Sequence, residues 1–161
     1  MRAPLAMLAL AGLTACASGT FDNAPVSAFA GPWTERDGNV LVVAYSSGGG
    51  VFATARDLGE RLIAGETLRI DGECKSACTL ALMDIVAPVV CWTDDTRFLF
   101  HAAHVNGRQD DAQTAINLSA LPAPIRARLP HPAEWRVDRW HEISGSDAHR
   151  ALGRGYCKEI G

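Results

Sequence analysis

The chain has 161 residues, of which 48% are hydrophobic and 20% are charged, and its formal net charge is −3. This length suits one domain with a hydrophobic core, and the composition excludes an intrinsically disordered chain. No run of Lys or Arg occurs in the sequence, which excludes an electrostatic nucleic-acid interface as the main function.

The segment that opens the chain is typical of a secretory signal. In MRAPLAMLALAGLTAC, one basic residue precedes an apolar run over about positions 4–13, which is too short to span a bilayer. The run ends in LTAC, which resembles the lipobox of bacterial lipoproteins. That resemblance implies cleavage before Cys16 and lipidation of its thiol and new amino group. Ordinary cleavage near Ala15 or Ala17 is the alternative. We therefore predict a signal peptide over residues 1–15.

The residues around this cleavage site predict where the protein resides. By the usual sorting pattern of lipoproteins, Ala17 rather than Asp after the cysteine favours the outer membrane. The expected location is the periplasmic face of the cell envelope, with the membrane as a partner through the lipid anchor. Residues 16–30 are rich in Ala, Ser, Gly and Asn and predict a flexible tether. Residues 31–161 then form a single predicted domain.

The first predicted elements of this domain are a strand and a helix. NVLVVAYSS, residues 39–47, is a continuous β-branched run that is typical of a strand buried on both faces. After three glycines, apolar residues recur at helical spacing from Val51 to Leu62. Gly65 follows where a helix C-terminus favours glycine, so the sequence predicts that the helix ends there.

The elements that follow alternate between strands and helices. The sequence predicts a strand over 67–70, a helix over 77–85, and strands over 88–92 and 97–103. This alternation is typical of right-handed crossover units with a parallel sheet, so the predicted fold class is α/β. The pattern is weaker from position 105 onward, where prolines interrupt the chain. A serine N-cap pattern in SGSDAHRALG predicts a last short helix over 147–152.

Four cysteines lie in the predicted domain: Cys74, Cys78, Cys91 and Cys157. An even number in an exported chain indicates two disulfides. Three connectivities are possible, and sequence alone does not choose among them. We favour Cys78–Cys91 with Cys74–Cys157, because the second bond would hold the C-terminus at the turn around Ser76. A zinc site is the rival interpretation, but the Cys-x3-Cys spacing with histidines only later argues against it. We predict no metal and no other cofactor.

Three features of the sequence supply the groups that serine hydrolysis needs, namely a nucleophile, a base and N–H donors for the oxyanion. Ser76 follows a turn and begins a predicted helix. Gly48, Gly49 and Gly50 separate a buried strand from a helix, where backbone N–H groups can face a substrate oxygen. His101 ends the strand RFLF and can be held at the same edge of the sheet.

These three segments resemble the proteolytic subunit of the Clp protease, within the Clp/crotonase superfamily. YSSGGGVFATA is similar to its Ser-Pro-Gly-Gly-Val segment, CKSACTLAL to its serine-bearing helix start, and FLFHAAH to the strand end with its histidine. The interval from Ser76 to His101 is 25 residues, which the Clp subunit also has. The C-x-S-A-C signature is more similar to small exported Clp-like proteins. The resemblance covers roughly residues 38–104 and implies a ββα-type spiral with mostly parallel strands.

The resemblance also implies roles for individual residues. Ser76 would be the nucleophile and His101 the general base. The oxyanion hole would be formed by the N–H groups of Gly49 or Gly50 and of Ala77. The implied activity is that of a serine hydrolase, peptidase-like, that acts on a peptide, ester or thioester.

The third member of the site is less well defined by the sequence. The acid of the family comes well after the histidine, and Asp147 lies nearest to the expected place, with Asp138 and Glu142 as alternatives. The chain departs from the family at Gly48, where the family has proline. It also has no counterpart of the long helix with which Clp subunits stack into rings, so the resemblance does not imply ring assembly.

Other interpretations of the same residues remain open. Ser76 could simply cap a helix, in which case the protein would be an inactive binding or scaffold lipoprotein. A Ser–Lys dyad is disfavoured because Lys75 adjoins Ser76 and Lys158 lies near the end of the chain. His101 and His104 could form a metal pair, but no third ligand is apparent. A redox-active pair of Cys74 and Cys78 could also gate the serine.

Overall fold

The computed structural model describes residues 27–30, 34–46 and 48–157. The predicted signal peptide, the lipidation of Cys16 and the first part of the tether lie outside these residues. Within the described ranges, no helix combines the length and the hydropathy that a membrane span requires.

The described residues form strands, α-helices and short 3-10 helices. The strands are β1 (Thr34–Asp37), β2 (Val40–Ser46), β3 (Thr67–Lys75), β4 (Val90–Trp92), β5 (Arg97–Phe100), β6 (His104–Val105), β7 (Arg108–Gln109) and β8 (His141–Ser144). The α-helices are α1 (Val51–Ala64), α2 (Asp111–Ser119), α3 (Ala123–Arg126) and α4 (Gly145–Leu152). The 3-10 helices are Ser76–Leu82, Asp84–Val86 and Pro132–Glu134.

One mixed sheet contains most of the strands, in the order β1-β2-β3-β5-β8, and β4 also pairs with β3. The pairs β2–β3, β3–β4 and β3–β5 are parallel, whereas β1–β2 and β5–β8 are antiparallel. The predicted α/β architecture with mostly parallel strands is therefore confirmed for the centre of the sheet. The sequence predicts neither edge strand, because TERD and HEIS are short and mostly polar.

The first strand and helix form where the sequence predicts them. Helix α1 has Leu58 fully buried, and it ends at Gly65, whose φ of 67° lies in the left-handed region that favours glycine. Strand β2 differs from the prediction of two buried faces. Leu41 and Val43 are buried on the face toward the core, whereas Ala44 on the opposite face is exposed.

The second predicted helix, 77–85, is a 3-10 helix over Ser76–Leu82, followed by a separate 3-10 helix over Asp84–Val86. All of its residues after Ser76 are buried, so it lies in the core and is not an amphipathic surface helix. The Thr79 hydroxyl donates to the Ser76 carbonyl oxygen at 2.7 Å. In an α-helix that oxygen would accept from the N–H of residue 80, and the side-chain bond therefore competes with α-helical geometry.

The four cysteines form two disulfides, as predicted, but the favoured pairing is wrong. The bonds are Cys74–Cys78 and Cys91–Cys157, with Cα–Cα distances of 5.2 and 4.8 Å. The 3-10 turn brings Cys78 back over the end of β3. The chain near Cys157 pairs with the end of β4, where the Cys157 N–H donates to the Trp92 carbonyl oxygen at 3.1 Å. Two disulfides are typical of an oxidising, exported environment.

Residues 27–30 belong to the packed structure, so the tether prediction does not hold for this part of 16–30. Phe29 is only 2% exposed. The Ala28 N–H donates to Thr54 Oγ1 on α1 at 3.0 Å, and Ser46 Oγ at the end of β2 donates to the Ala28 carbonyl oxygen at 2.7 Å. This segment therefore supports the end of β2 and the start of α1.

Candidate active site

Ser76 and His101 meet at one edge of the sheet. Ser76 directly follows β3, and His101 directly follows β5, the parallel neighbour of β3. Because parallel strands end at the same edge of the sheet, the topology brings the two residues together although they are far apart in the sequence. Ser76 Oγ lies 2.7 Å from His101 Nε2, which is a short hydrogen bond.

Ser76 is not the N-cap of its helix. It is the first residue of the 3-10 helix, the preceding Lys75 occupies the cap position, and no side-chain cap bond forms there. The φ of Ser76 is 54°, one of two positive φ values among the non-glycine residues that the structure describes. A residue with a Cβ adopts this conformation at a cost of about 1–2 kcal/mol, and such strain concentrates at functional sites.

The second nitrogen of His101 faces a main-chain carbonyl. His101 Nδ1 lies 3.3 Å from the Val137 carbonyl oxygen, which can only accept, so Nδ1 donates the proton. Nε2 is then left unprotonated and accepts the hydrogen bond from Ser76 Oγ–H. This is the tautomer that a general base for Ser76 requires. The Trp140 ring, 44% exposed, packs against the imidazole with centroids 4.3 Å apart.

The predicted third residue, Asp147, is not brought to His101. Its carboxylate accepts from Ser144 Oγ at 2.9 Å and from Arg150 Nη1 at 2.7 Å, near the start of α4. Glu142 is engaged in a bidentate ion pair with Arg97.

The hydrogen bonds of the His101 ring go to Ser76 and Val137, so Asp138 does not orient the ring either. Sequence reasoning missed Val137 because every residue has a carbonyl group, and nothing in the side chain marks its position. Only the path of the chain between α3 and β8 places this oxygen beside the histidine.

The glycines after β2 lie against the serine. Gly48 has a φ of 96°, and a Cβ built there would lie 3.0 Å from the Ser76 Cβ, so this position requires glycine. Proline, which the Clp family has at this point, is incompatible with that φ. The Gly48 N–H donates to Ser46 Oγ at 3.3 Å. Among the described residues, none accepts a hydrogen bond from the N–H of Gly49 or Gly50.

The residues that were predicted to supply oxyanion donors are found beside the serine. Gly49, Gly50 and Ala77 line the same cavity as Ser76 and His101. Ala77 is in the first turn of the 3-10 helix, where N–H groups have no acceptor within the helix. These N–H groups can therefore donate to an oxygen that develops negative charge next to Ser76.

Lys75 is directed away from the serine. Its ammonium group contacts Glu73 at 2.7 Å and the Tyr45 hydroxyl at 3.4 Å. The hydrogen bond to Glu73 is the main reason that the pKa of Lys75 is raised, and its ammonium stays protonated. A protonated lysine cannot act as the base for Ser76, so the geometry favours His101 in that role.

The environment of His101 keeps its imidazole neutral. Burial lowers the pKa of His101 below its usual value, because the charged form is poorly solvated there. The Val137 carbonyl opposes this effect by raising the pKa, and the nearby His104 adds to the lowering. A neutral imidazole at pH 7 is the form that can accept the proton of Ser76.

A cavity of about 720 Å³ opens beside the Ser76–His101 pair. Much of its wall is apolar and comes from α1, the 3-10 helix that begins at Ser76, the end of β5, and α2 with the residues just after it: Val51, Phe52, Leu80, Phe100, Leu118 and Leu121. A paired set of amides, Gln113 and Asn117, lies on the α2 side, with their side chains hydrogen-bonded at 2.8 Å. Sequence reasoning assigned no role to this helix.

The site therefore combines a serine, a neutral histidine and a set of backbone donors beside one apolar cavity. This combination is suited to acyl transfer, because a nucleophile bonded to a base and a set of backbone donors line the same cavity. Comparison of the chain with known protein families, with curated proteins and with solved structures gave no significant match.

Proposed function

We propose that this protein is a serine hydrolase in which Ser76 is the nucleophile and His101 the general base. The observation that carries the proposal is the 2.7 Å contact between Ser76 Oγ and His101 Nε2. It is supported by the positive φ of Ser76 and by the correct tautomer of His101. A base at hydrogen-bond distance, oriented by a third group, is what nucleophilic catalysis by serine requires, and backbone strain is frequent at such sites.

The proposed reaction proceeds through an acyl-enzyme. Ser76 Oγ attacks the carbonyl carbon of the substrate, and its proton moves to His101 Nε2. The N–H groups of Gly49 or Gly50 and of Ala77 stabilise the oxyanion. His101 then transfers the proton to the leaving group as the bond to the acyl carbon breaks. Water, activated by His101, releases the acid and regenerates Ser76.

The Val137 carbonyl, which is the hydrogen-bond partner of His101 Nδ1, sets an expectation for the rate of the proposed hydrolysis. A carbonyl oxygen orients the imidazole and fixes its tautomer, but it carries no full negative charge to stabilise the imidazolium that forms. We therefore expect slower turnover than in sites where a carboxylate holds the histidine. The same observation favours the second candidate, an inactive binding or scaffold protein that holds a carbonyl group in the cavity.

The proposed substrate is an acyl compound with an apolar group, and the cavity supports this choice. Its apolar wall matches a peptide, ester or thioester whose acyl part carries an apolar group.

We also propose membership of the Clp/crotonase superfamily, which is supported by the order of the three motifs and by the parallel centre of the sheet. A lipid anchor at Cys16, on the periplasmic side of the outer membrane, is proposed from the lipobox-like segment.

A fluorophosphonate probe tests the proposal directly. Ser76 Oγ would attack phosphorus and displace fluoride, forming a stable covalent adduct. We expect intact-mass analysis to show one adduct per chain and peptide mapping to place it on Ser76. Absence of labelling in the folded protein would favour the binding candidate, and so would an adduct on a different serine.

The pH dependence of labelling provides a second test. Because only neutral His101 can accept a proton and its pKa is lowered, labelling should rise with pH through a midpoint below 6.5 and then level off. The measurement is the second-order labelling rate across the pH range in which the protein stays folded. A midpoint above 6.5 would contradict the proposed role of the buried imidazole.

A further inference from the structure

The Cys74–Cys78 disulfide encloses the candidate nucleophile. Cys74 lies near the end of β3, Cys78 lies in the first turn of the 3-10 helix, and Ser76 is midway between them. The bond therefore joins the two sides of the turn that carries Ser76. Of the two disulfides in the structure, only this one lies at the candidate active site.

The enclosed turn contains a conformation that needs support. Ser76 has a φ of 54°, which a residue with a Cβ adopts at a cost and keeps only when the surroundings hold it there. Gly48 packs against the Ser76 Cβ from one side, and Thr79 bonds the Ser76 carbonyl from the other. The disulfide adds a covalent restraint on both flanks of the turn.

We propose that the Cys74–Cys78 disulfide positions Ser76, so that Ser76 Oγ stays at hydrogen-bond distance from His101 Nε2. The inference rests on the proposed function and extends it to two residues that touch neither substrate nor base. Without the bond, the turn can relax toward ordinary negative φ values, which would move Oγ away from the imidazole. Cys74 and Cys78 act through Ser76 and are positioning residues.

Burial distinguishes this role from the redox gate that the sequence also allowed. Both Cys74 and Cys78 are 0% exposed, so a reductant cannot reach the sulfur atoms in the native fold. Attack by a thiolate requires access to one of the sulfurs. The bond is therefore a permanent part of the site under native conditions.

The second disulfide has a different effect on the chain. Cys91 and Cys157 are 66 positions apart, against 4 for Cys74 and Cys78. A cross-link restricts the unfolded chain more when it closes a longer loop, so Cys91–Cys157 should contribute more to stability. Loss of the Cys91–Cys157 bond should lower the melting temperature without changing the position of Ser76. The variant that lacks this bond is therefore the matched control.

The test compares two double variants in the fluorophosphonate reaction. Cys74→Ala/Cys78→Ala should lower the labelling rate by about 10- to 100-fold, the effect of a small misplacement of a reacting atom. Cys91→Ala/Cys157→Ala should lower the melting temperature more and leave the labelling rate within about threefold, since it lies away from the site. Unchanged labelling of the first variant would overturn the inference.

A double-mutant cycle separates positioning from general destabilisation. If the disulfide acts through the Ser76–His101 contact, adding His101→Ala to Cys74→Ala/Cys78→Ala should cause little further loss of labelling. Two losses that multiply would show that the disulfide and His101 act independently, which contradicts positioning. The cycle is informative as long as all variants fold, which circular dichroism checks.

Two further measures keep the inference separate from the proposed function. The ring ¹⁵N signals of His101 report its hydrogen bond to Ser76 whether or not the protein labels, and we expect them to shift in Cys74→Ala/Cys78→Ala. An unlabelled wild type with that shift would reject hydrolysis and keep positioning, whereas unshifted signals would reject positioning. Should the alanine variant fail to fold, Cys74→Val/Cys78→Ala restores buried volume at the same site.

Discussion

Replacing Ser76 by alanine is expected to abolish covalent labelling by a fluorophosphonate and any hydrolysis that the protein performs. The substitution removes the oxygen that lies 2.7 Å from His101 Nε2, and no other hydroxyl among the described residues bonds that nitrogen. The fold should persist, because alanine and serine both carry a Cβ and meet the same cost at a φ of 54°. The measurements are adduct formation by mass spectrometry and thermal unfolding.

The matched control for this prediction is Ser119→Ala. Ser119 is exposed at the end of α2, and among the described residues its hydroxyl donates to the Ile116 carbonyl oxygen alone. It should label at the wild-type rate. Equal labelling of wild type and Ser76→Ala would remove Ser76 from the nucleophile role, whatever the behaviour of the control.

Replacing His101 by alanine should slow labelling of Ser76 by about 10²–10⁴-fold, the usual contribution of a positioned general base. The physical reason is that, within the part of the chain that the structure describes, the Ser76 hydroxyl then has no other acceptor at hydrogen-bond distance. The rise of the labelling rate with pH, which reports the lowered pKa of His101, should disappear together with the rate. Both quantities come from one series of labelling reactions at different pH values.

Two controls define what this loss means. His104→Ala removes the neighbouring exposed imidazole, whose ring centroid is 5.7 Å from that of His101, and should leave most of the labelling intact. Asp147→Asn removes the carboxylate that the sequence nominated as the acid. Because that carboxylate contacts Ser144 and Arg150, we expect normal labelling. A large loss in Asp147→Asn would show that the carboxylate reaches His101 during the reaction.

A protein of this kind would differ from triad hydrolases in how its histidine is held. The imidazole is oriented by the Val137 carbonyl and covered on one face by Trp140. Both groups come from the segment between α3 and β8, in which the sequence offered only Asp138, as an alternative acid. Changes in this segment should therefore affect His101 without altering any of the three motifs.

The residues of the candidate pair could be predicted from sequence because their positions depend on local patterns. A buried strand run, three glycines and a helical repeat define β2 and the start of α1. Ser76 directly follows β3, which extends to Lys75 and is longer than the predicted strand over 67–70, and His101 directly follows β5. Parallel neighbours end at one edge of the sheet. Local order along the chain, together with the resemblance of the three motifs, was therefore enough to predict that the serine, the glycines and the histidine lie together.

Several other features could not be predicted, because they depend on contacts between distant segments. The disulfide pairing follows from the 3-10 turn after β3 and from the bridge between Trp92 and Tyr156, and neither leaves a sequence pattern. The partner of His101 is a backbone oxygen, so no residue type marks it.

Sequence alone was enough for the α/β class and for two disulfides, which follow from periodicity and from the number of cysteines. It was also enough to nominate Ser76 and His101, which rested on the order and spacing of the three motifs and on the resemblance that they carry. The tertiary structure alone decided which cysteines pair, which atom holds His101 and that Ser76 adopts a φ of 54° and does not cap its helix. These outcomes depend on how the chain returns upon itself, and side-chain pattern carries no information on that path.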